Sequence, residues 1–291
     1  MKLITNYLLD DDLRYKLNLL TQKTFGFDFE AWVTKGYFEG DYIPFSYIED
    51  GQIISNASAN IMTFIQNGVK KNYIQIGTVM TDEAYRNQGL AKKLIEHIVE
   101  AYKDKCDGLY LFGDLGALDF YHKVGFEETL QYRYTMKNVE KTEAKGNLVK
   151  INDNEELKKE YMNVVRNGMA NSSFDQINRY GLCMFYTMDM DSVYYCKELD
   201  CFAVIDKWDD TVVVQNVFSK KPVDICDVIS CINEEYSELR LGFTPRSEDM
   251  NLFEAAVFEF DGEDDYRLFY IGDELKSIKE DELYFPQLSH A

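Results

Sequence analysis

Apolar residues at Leu13, Leu17 and Leu20, spaced by three and four, predict a helix over 10–23 whose aspartates lie at its start, where the helix dipole favours them. Asp28 ahead of 29–37 predicts a second, shorter helix with an Asp N-cap. The pattern then changes period. Residues 42–48, 52–66 and 73–80 read as strands, and the Asp50-Gly51 and Asn67-Gly68 pairs between them read as tight hairpin turns. A helix follows over 88–103, with Leu90, Leu94, Ile95, Ile98 and Tyr102 on one broad apolar face that must pack on a sheet. Gly108 opens a strand at 109–112, and 115–123 reads as a short helix ended by Gly125. Residues 126–136 return as a strand. Strand, crossover helix and strand imply one parallel pair inside an otherwise antiparallel sheet. If that pair parts between the strand end at Met80 and the strand at Leu109, it leaves a cleft at the carboxyl ends, where open α/β sheets bind ligands.

Residues 139–148 are polar and weakly patterned and read as a linker. After it the same order of elements returns in worn form. A helix is expected over 154–169, strands over 194–198, 201–207 and 211–219, a helix over 224–236, and strands over 238–243, 253–260 and 266–271. The expected organisation is two α/β domains, 1–138 and 149–291. Each is a mixed, mostly antiparallel sheet flanked by helices.

Composition narrows the possible functions. The chain has 291 residues, and a hydrophobic content of 46% supports a buried core. No apolar run approaches the ~18–20 residues of a membrane helix. The first twelve residues carry one lysine and then three aspartates, the wrong charge order for a secretory leader, so a cytoplasmic protein is expected. A formal net charge of −20 disfavours nucleic acid and anionic membranes as partners and suits a cationic one. The six cysteines form no CxxC and the three histidines are scattered, so reduced thiols and no metal site are expected. No G-x-G-x-x-G follows a strand, which sets dinucleotide binding aside.

The candidate chemistry begins at the strand-to-helix junction Arg86-Asn87-Gln88-Gly89-Leu90-Ala91. A glycine there lets several free backbone N–H groups converge on one small space, a cradle for phosphate. Arg86, Lys92 and Lys93 add positive charge beside it, with Lys70 and Lys71 on the preceding strand. Further on stands Asp114-Leu-Gly-Ala117-Leu-Asp-Phe-Tyr121-His-Lys-Val-Gly125-Phe126. The first stretch resembles the Arg-x-x-Gly-x-Ala loop of the GCN5-related N-acetyltransferases. The second resembles that family's Asn-x-x-Ala-x-x-x-Tyr-x-x-x-Gly-Phe signature, with Asp114 in place of asparagine. The likeness covers residues 1–137, and the second half resembles the degenerate repeat of two-domain members.

The resemblance implies direct attack of a primary amine, small-molecule or peptide, on acetyl-CoA in a ternary complex. It also implies roles for particular residues. Arg86, Asn87, Gln88, Gly89, Leu90 and Ala91 would hold the pyrophosphate, and Asp114 and Ala117 would contact the cofactor. Val79, Met80 and Thr81 would pair with the pantetheine arm and polarise the acyl carbonyl. Tyr121 would be the general acid, its phenol protonated at neutral pH. The general base stays open among Glu39, Asp41, Asp82, Glu83 and Asp119. Some relatives use the terminal carboxylate, which 285–291 could bring in, although ordinary tail packing is the plainer expectation. The dense aromatics over 25–47 are expected mainly as core, with some as walls of a substrate pocket. In the second half the loop position reads Ser219-Lys220-Lys221-Pro222-Val223, without glycine, so one cofactor site is expected. A non-catalytic acyl-CoA-binding protein is the alternative, and oligomeric state is left undecided.

Overall fold

The fold was read from a computed structural model of the chain, which describes residues 1–137, 143–258 and 266–291. β1 (Lys2–Thr5) leads into α1 (Asp11–Phe25) and α2 (Glu30–Thr34). Asp10 caps α1 by accepting the Leu13 N–H, and Gly26 ends it in the left-handed region. β2 (Tyr42–Glu49), β3 (Gln52–Gln66) and β4 (Val69–Thr81) form an antiparallel meander. Its turns hold Asp50, Gly51, Asn67 and Gly68 all at positive φ, the backbone that these residue types favour in tight hairpins. α3 (Leu90–Tyr102), β5 (Gly108–Asp114), α4 (Leu118–Lys123), β6 (Glu127–Thr129) and β7 (Tyr132–Lys137) complete the first half.

The second half contains β8 (Leu148–Lys150), α5 (Glu155–Asn167), β9 (Met169–Ala170), β10 (Phe174–Gln176), α6 (Tyr180–Tyr186) and β11 (Val193–Cys196). β12 (Cys201–Trp208), β13 (Thr211–Ser219), α7 (Ile225–Ser230), β14 (Glu238–Leu241), β15 (Glu254–Val257), β16 (Tyr266–Ile271) and α8 (Ser277–Glu280) follow. Two mixed sheets result, ordered β1-β2-β3-β4-β5-β16-β6 and β15-β7-β14-β13-β12-β11-β8, with β10 added to β3 and β9 to β13. Each is antiparallel except for one pair, β4 with β5 and β13 with β14.

The sheets do not divide at residue 138. The single strand expected over 126–136 breaks at Leu130 and Gln131, and its second part, β7, crosses to the second sheet between β14 and β15. In return β16 inserts into the first sheet between β5 and β6. The crossing is fixed at buried Gln131, whose carbonyl accepts the Phe258 N–H at 2.8 Å while its side chain accepts that of Phe285 at 3.3 Å. Residues 139–142 of the expected linker lie outside the described residues. Its remainder is tied to the second half, where Lys145 N–H donates to Ser230 Oγ at 3.1 Å, and Leu148 already belongs to β8. The helix expected over 224–236 stops at Ser230, where the Ile232 N–H reaches back to Ile229 in a tighter turn.

Candidate active site

β4 and β5 run in parallel only from Tyr73 to Gln75 against Gly108 to Tyr110. Beyond that point β5 stays with β16, while β4 continues beside β3 alone. This is the parting expected from the element order. Within it β4 bulges: Gly77 pairs with Ser58 and Met80 with Asn56, so Thr78 and Val79 together face Ala57. Thr78 sits at φ 42°, a strained backbone for a β-branched residue. Its neighbours hold it there. Asn56 Nδ2 donates to the Thr78 carbonyl at 3.0 Å, and the Thr78 hydroxyl meets those of Ser58 at 2.9 Å and Tyr42 at 2.8 Å. Ser55 engages the Met80 carbonyl and the Thr81 hydroxyl from the β3 side. The opposite edge of Val79, Met80 and Thr81 is left to the parting.

The loop comes next along the chain. Asn87 at φ 63° and Gly89 at φ 72° are both left-handed, an arrangement that aims successive N–H groups into one concavity. Gly89 caps α3 without any side-chain hydrogen bond, and open space surrounds the position where a Cβ would stand. Arg86 donates from Nε to the Thr81 carbonyl at 3.2 Å, tying the loop to the strand end. Asn87 and Gln88 are exposed, Leu90 is buried under the helix, and Ala91 keeps the first turn narrow. Lys70 and Lys71 do not join this cluster. They stand at the start of β4, ten residues or roughly 33 Å of strand from Thr81, and Lys71 pairs with Glu274.

On the α3 side of the sheet, α4 carries Tyr121 into the core, 7% exposed. Its ring lies against Gly113 of β5, where an added Cβ would sit 2.4 Å from Cε2, and 5.2 Å from the Phe269 ring. Gly113 is therefore required by a close approach that the motif alone does not announce. Burial first, and the nearby Asp114 carboxylate second, push the Tyr121 hydroxyl up to about 12. Asp114 is exposed at the end of β5, and Ala117 packs at the start of α4.

Strand alternation puts Gly77, Gln75 and Tyr73 on the opposite face. There lies a cavity of ≈ 190 Å³, walled by Phe25, Phe29, Trp32, Tyr42, Phe185 and Tyr186 and ending at Thr78 and Ala291. Phe25, Phe27, Phe29, Trp32 and Tyr42 are thus the members of the aromatic run that wall a pocket, while Phe45 and Tyr47 belong to the core under α3. The last residues reach this cavity. An added Cβ at Gly77 would stand 2.2 Å from the Ala291 main-chain oxygen, to which Gln75 Nε2 donates at 3.5 Å. His290 stacks on Phe112 at 4.0 Å, and burial holds its imidazole well below the usual range, at about 3. Leu182, Phe185 and Tyr186 were not read from the sequence as site residues, since they come from the second half, whereas the tail, for which ordinary packing was the plainer expectation, does reach this cavity.

The candidate bases separate clearly. Glu39 is paired with Arg166 at 2.9 Å and Asp82 with Lys23 at 3.0 Å, while Glu83 and Asp119 are exposed. Asp41 is half-buried, has no ion-pair partner among the described residues, and lies in a small pocket behind Trp32 and Tyr42. Among the described residues no group of three or more His, Cys, Asp or Glu could hold a metal, and no helix is long and apolar enough to cross a membrane.

The acetyltransferase (GNAT) family model matches residues 8–126. Among solved structures, a conserved protein of unknown function and probable N-acyltransferase from Enterococcus faecalis aligns with a TM-score of 0.61 at 15% identity, over 95% of this chain and 73% of that one. A GCN5-related N-acetyltransferase from Kribbella flavida aligns at 0.55 and 12% identity, over 92% and 70% of the two chains. Another from Anabaena variabilis aligns at 0.55 and 13%, over 92% and 72%. At these identities the likeness is one of fold, and it extends through both halves. A search of curated proteins finds no match. Residues 8–126 of this chain thus match the acetyltransferase (GNAT) family model, and the fold around them is that of the N-acetyltransferase structures it aligns with.

Proposed function

We propose that the chain is an N-acetyltransferase that moves an acetyl group from acetyl-CoA to a primary amine by direct attack in a ternary complex. We assign one such site, to the first half. The observation that carries this is a convergence at the parting of β4 and β5. An uncapped left-handed loop and a buried phenol lie there, and an aromatic cavity opens on the opposite face.

The residues fit the cofactor. N–H groups of Arg86, Asn87, Gln88, Gly89, Leu90 and Ala91 would hold the pyrophosphate, with the α3 dipole adding to them. Bound acetyl-CoA supplies the activated acyl group. The free edge of Val79, Met80 and Thr81 would pair with the pantetheine amides and present an N–H to the acyl oxygen. Tyr121, kept protonated by burial, would donate to the sulfur, and its raised pKa makes it chiefly a hydrogen-bond donor until charge builds there. Ala117 leaves room beside the arm. Asp114 offers only acceptors where an amide would also donate, so its contribution is the weaker one. On the acceptor side Thr78 and the Ala291 main-chain oxygen would orient the amine, and the aromatic walls would exclude water from it.

Replacing Tyr121 by Phe tests this reading. Thiol release from acetyl-CoA with an accepted amine should fall about 10²-fold or more, with CoA affinity unchanged. Undiminished turnover would remove Tyr121 from the mechanism. Tight CoA binding without discharge to any amine would favour an acyl-CoA-binding protein instead.

A further inference from the structure

Behind the acceptor cavity, and sharing its walls Trp32, Tyr42 and Leu182, is a second, smaller pocket of ≈ 10 Å³. That space suits one group the size of a water molecule. Its polar lining is one-sided. Asn60 and Gln176 are each 2% exposed, and Asn60 Oδ1 and Gln176 Oε1 are buried with no hydrogen-bond partner. Their amide orientations follow from their neighbours. Asn60 Nδ2 donates to the Gln75 carbonyl at 3.0 Å and Gln176 Nε2 to the Asn178 carbonyl at 3.4 Å, and carbonyls can only accept. The other side-chain N–H donors around the pocket are engaged as well, Trp32 Nε1 with the Gly181 carbonyl at 2.7 Å and Asn178 Nδ2 with that of Ile61 at 2.7 Å. The third acceptor is the Asp41 carboxylate. Burial raises its pKa to about 6, a hydrogen bond with the Asn178 side chain offsets part of this and the Glu39 charge adds to it, and it has no cationic partner among the described residues.

Three acceptors without a spare donor match a ligand that has three donors and no acceptor. A water molecule has two donors and two lone pairs that would go unmatched. A protonated primary amine has the complementary set, the size of the pocket and the charge that Asp41 lacks. We infer that Asp41, Asn60 and Gln176 form a subsite for an ammonium group, so that the acceptor carries two amino groups, one held here and one presented at Thr78 and Ala291. This rests on the larger cavity being the acyl-acceptor site.

The test is calorimetric binding of 1,4-diaminobutane and 1-aminobutane to the full chain, independent of turnover. The diamine should bind at least about tenfold more tightly than the monoamine. Asp41→Asn, isosteric and only half-buried, should keep the melting temperature and reduce that preference to less than about twofold. Equal binding of the two amines to the unaltered chain, which needs no variant, would overturn the proposal and assign the orphaned oxygens to water only. So would a preference that survives Asp41→Asn. A diamine preference without acetyl transfer to either amine would sustain the ammonium pocket and sink the transferase reading. Transfer with no preference would do the reverse.

Discussion

At the scale of single residues, glycines mark where two parts of the site touch. Gly113 exists to admit the Tyr121 ring and Gly77 to admit the end of the chain, and both are close-approach glycines with ordinary backbone. Gly77 offers the sharper test because its contact is backbone and cannot swing aside. Gly77→Ala should push His290 and Ala291 out of the aromatic cavity while Phe285, fully buried, keeps the preceding tail in place. We expect kcat/KM for the amine to fall about tenfold or more, a displacement effect of the kind that an ångström produces, with CoA affinity unchanged. Deleting His290 and Ala291 in the Gly77→Ala background should then add little, since both changes remove one interaction. Wild-type kinetics in Gly77→Ala would show that the tail plays no part in handling the acceptor.

At the scale of elements, the chain holds two versions of one strand–helix–strand unit. In the first, β4 and β5 part after three parallel pairs, and α3, 13 residues long, begins uncapped. In the second, β13 and β14 are parallel over four pairs, but α7 is 6 residues long and its donors are spent. Asp224 accepts the Cys226 N–H, Asn171 accepts that of Val223, and a carboxylate occupies the place where a phosphate would need positive potential. Titration with CoA should therefore find one site per chain. Gly89→Val, strained at φ 72°, should abolish it without unfolding the second half; two equivalent sites would contradict the assignment. Much of this was legible in the sequence because the signals are local, in the Asp-Gly and Asn-Gly turns, the aspartates at the start of α1, the glycine after α4 and the period of α3. α6 was not legible. Tyr-Gly-Leu-Cys-Met-Phe-Tyr has no polar face to mark a period, since Gly181 packs on Trp32 and Cys183 and Met184 are buried. The ammonium pocket was equally invisible, because Asp41, Asn60 and Gln176 come from three strands or strand ends and carry no spacing.

At the scale of the whole molecule, the exchange of β7 for β16 makes each half incomplete. Periodicity shows which face of a strand is buried and not which strand lies beside it, so 126–136 and 266–271 were recognised as strands while their partners were not. The consequence is functional as well as architectural. The second half has no counterpart of the glycine loop, yet it supplies Leu182, Phe185, Tyr186, His290 and Ala291 to the aromatic cavity and β16 to the first sheet. Phe269 of β16 is fully buried against Tyr121, and losing such a ring from a core costs about 3–5 kcal/mol. That is a large fraction of the ~5–15 kcal/mol by which a domain is stable. Without β16, β5 also loses its neighbour, and β6 is left with no strand to pair with. A fragment of residues 1–138, although it contains the whole stretch that matches the family model, should therefore lack a dispersed amide spectrum and fail to bind CoA. Co-expression with residues 139–291 should restore both by complementation. A fragment 1–138 that folds alone and binds CoA as the full chain does would show that the exchanged strand is an ornament of the fold and not a requirement of the site.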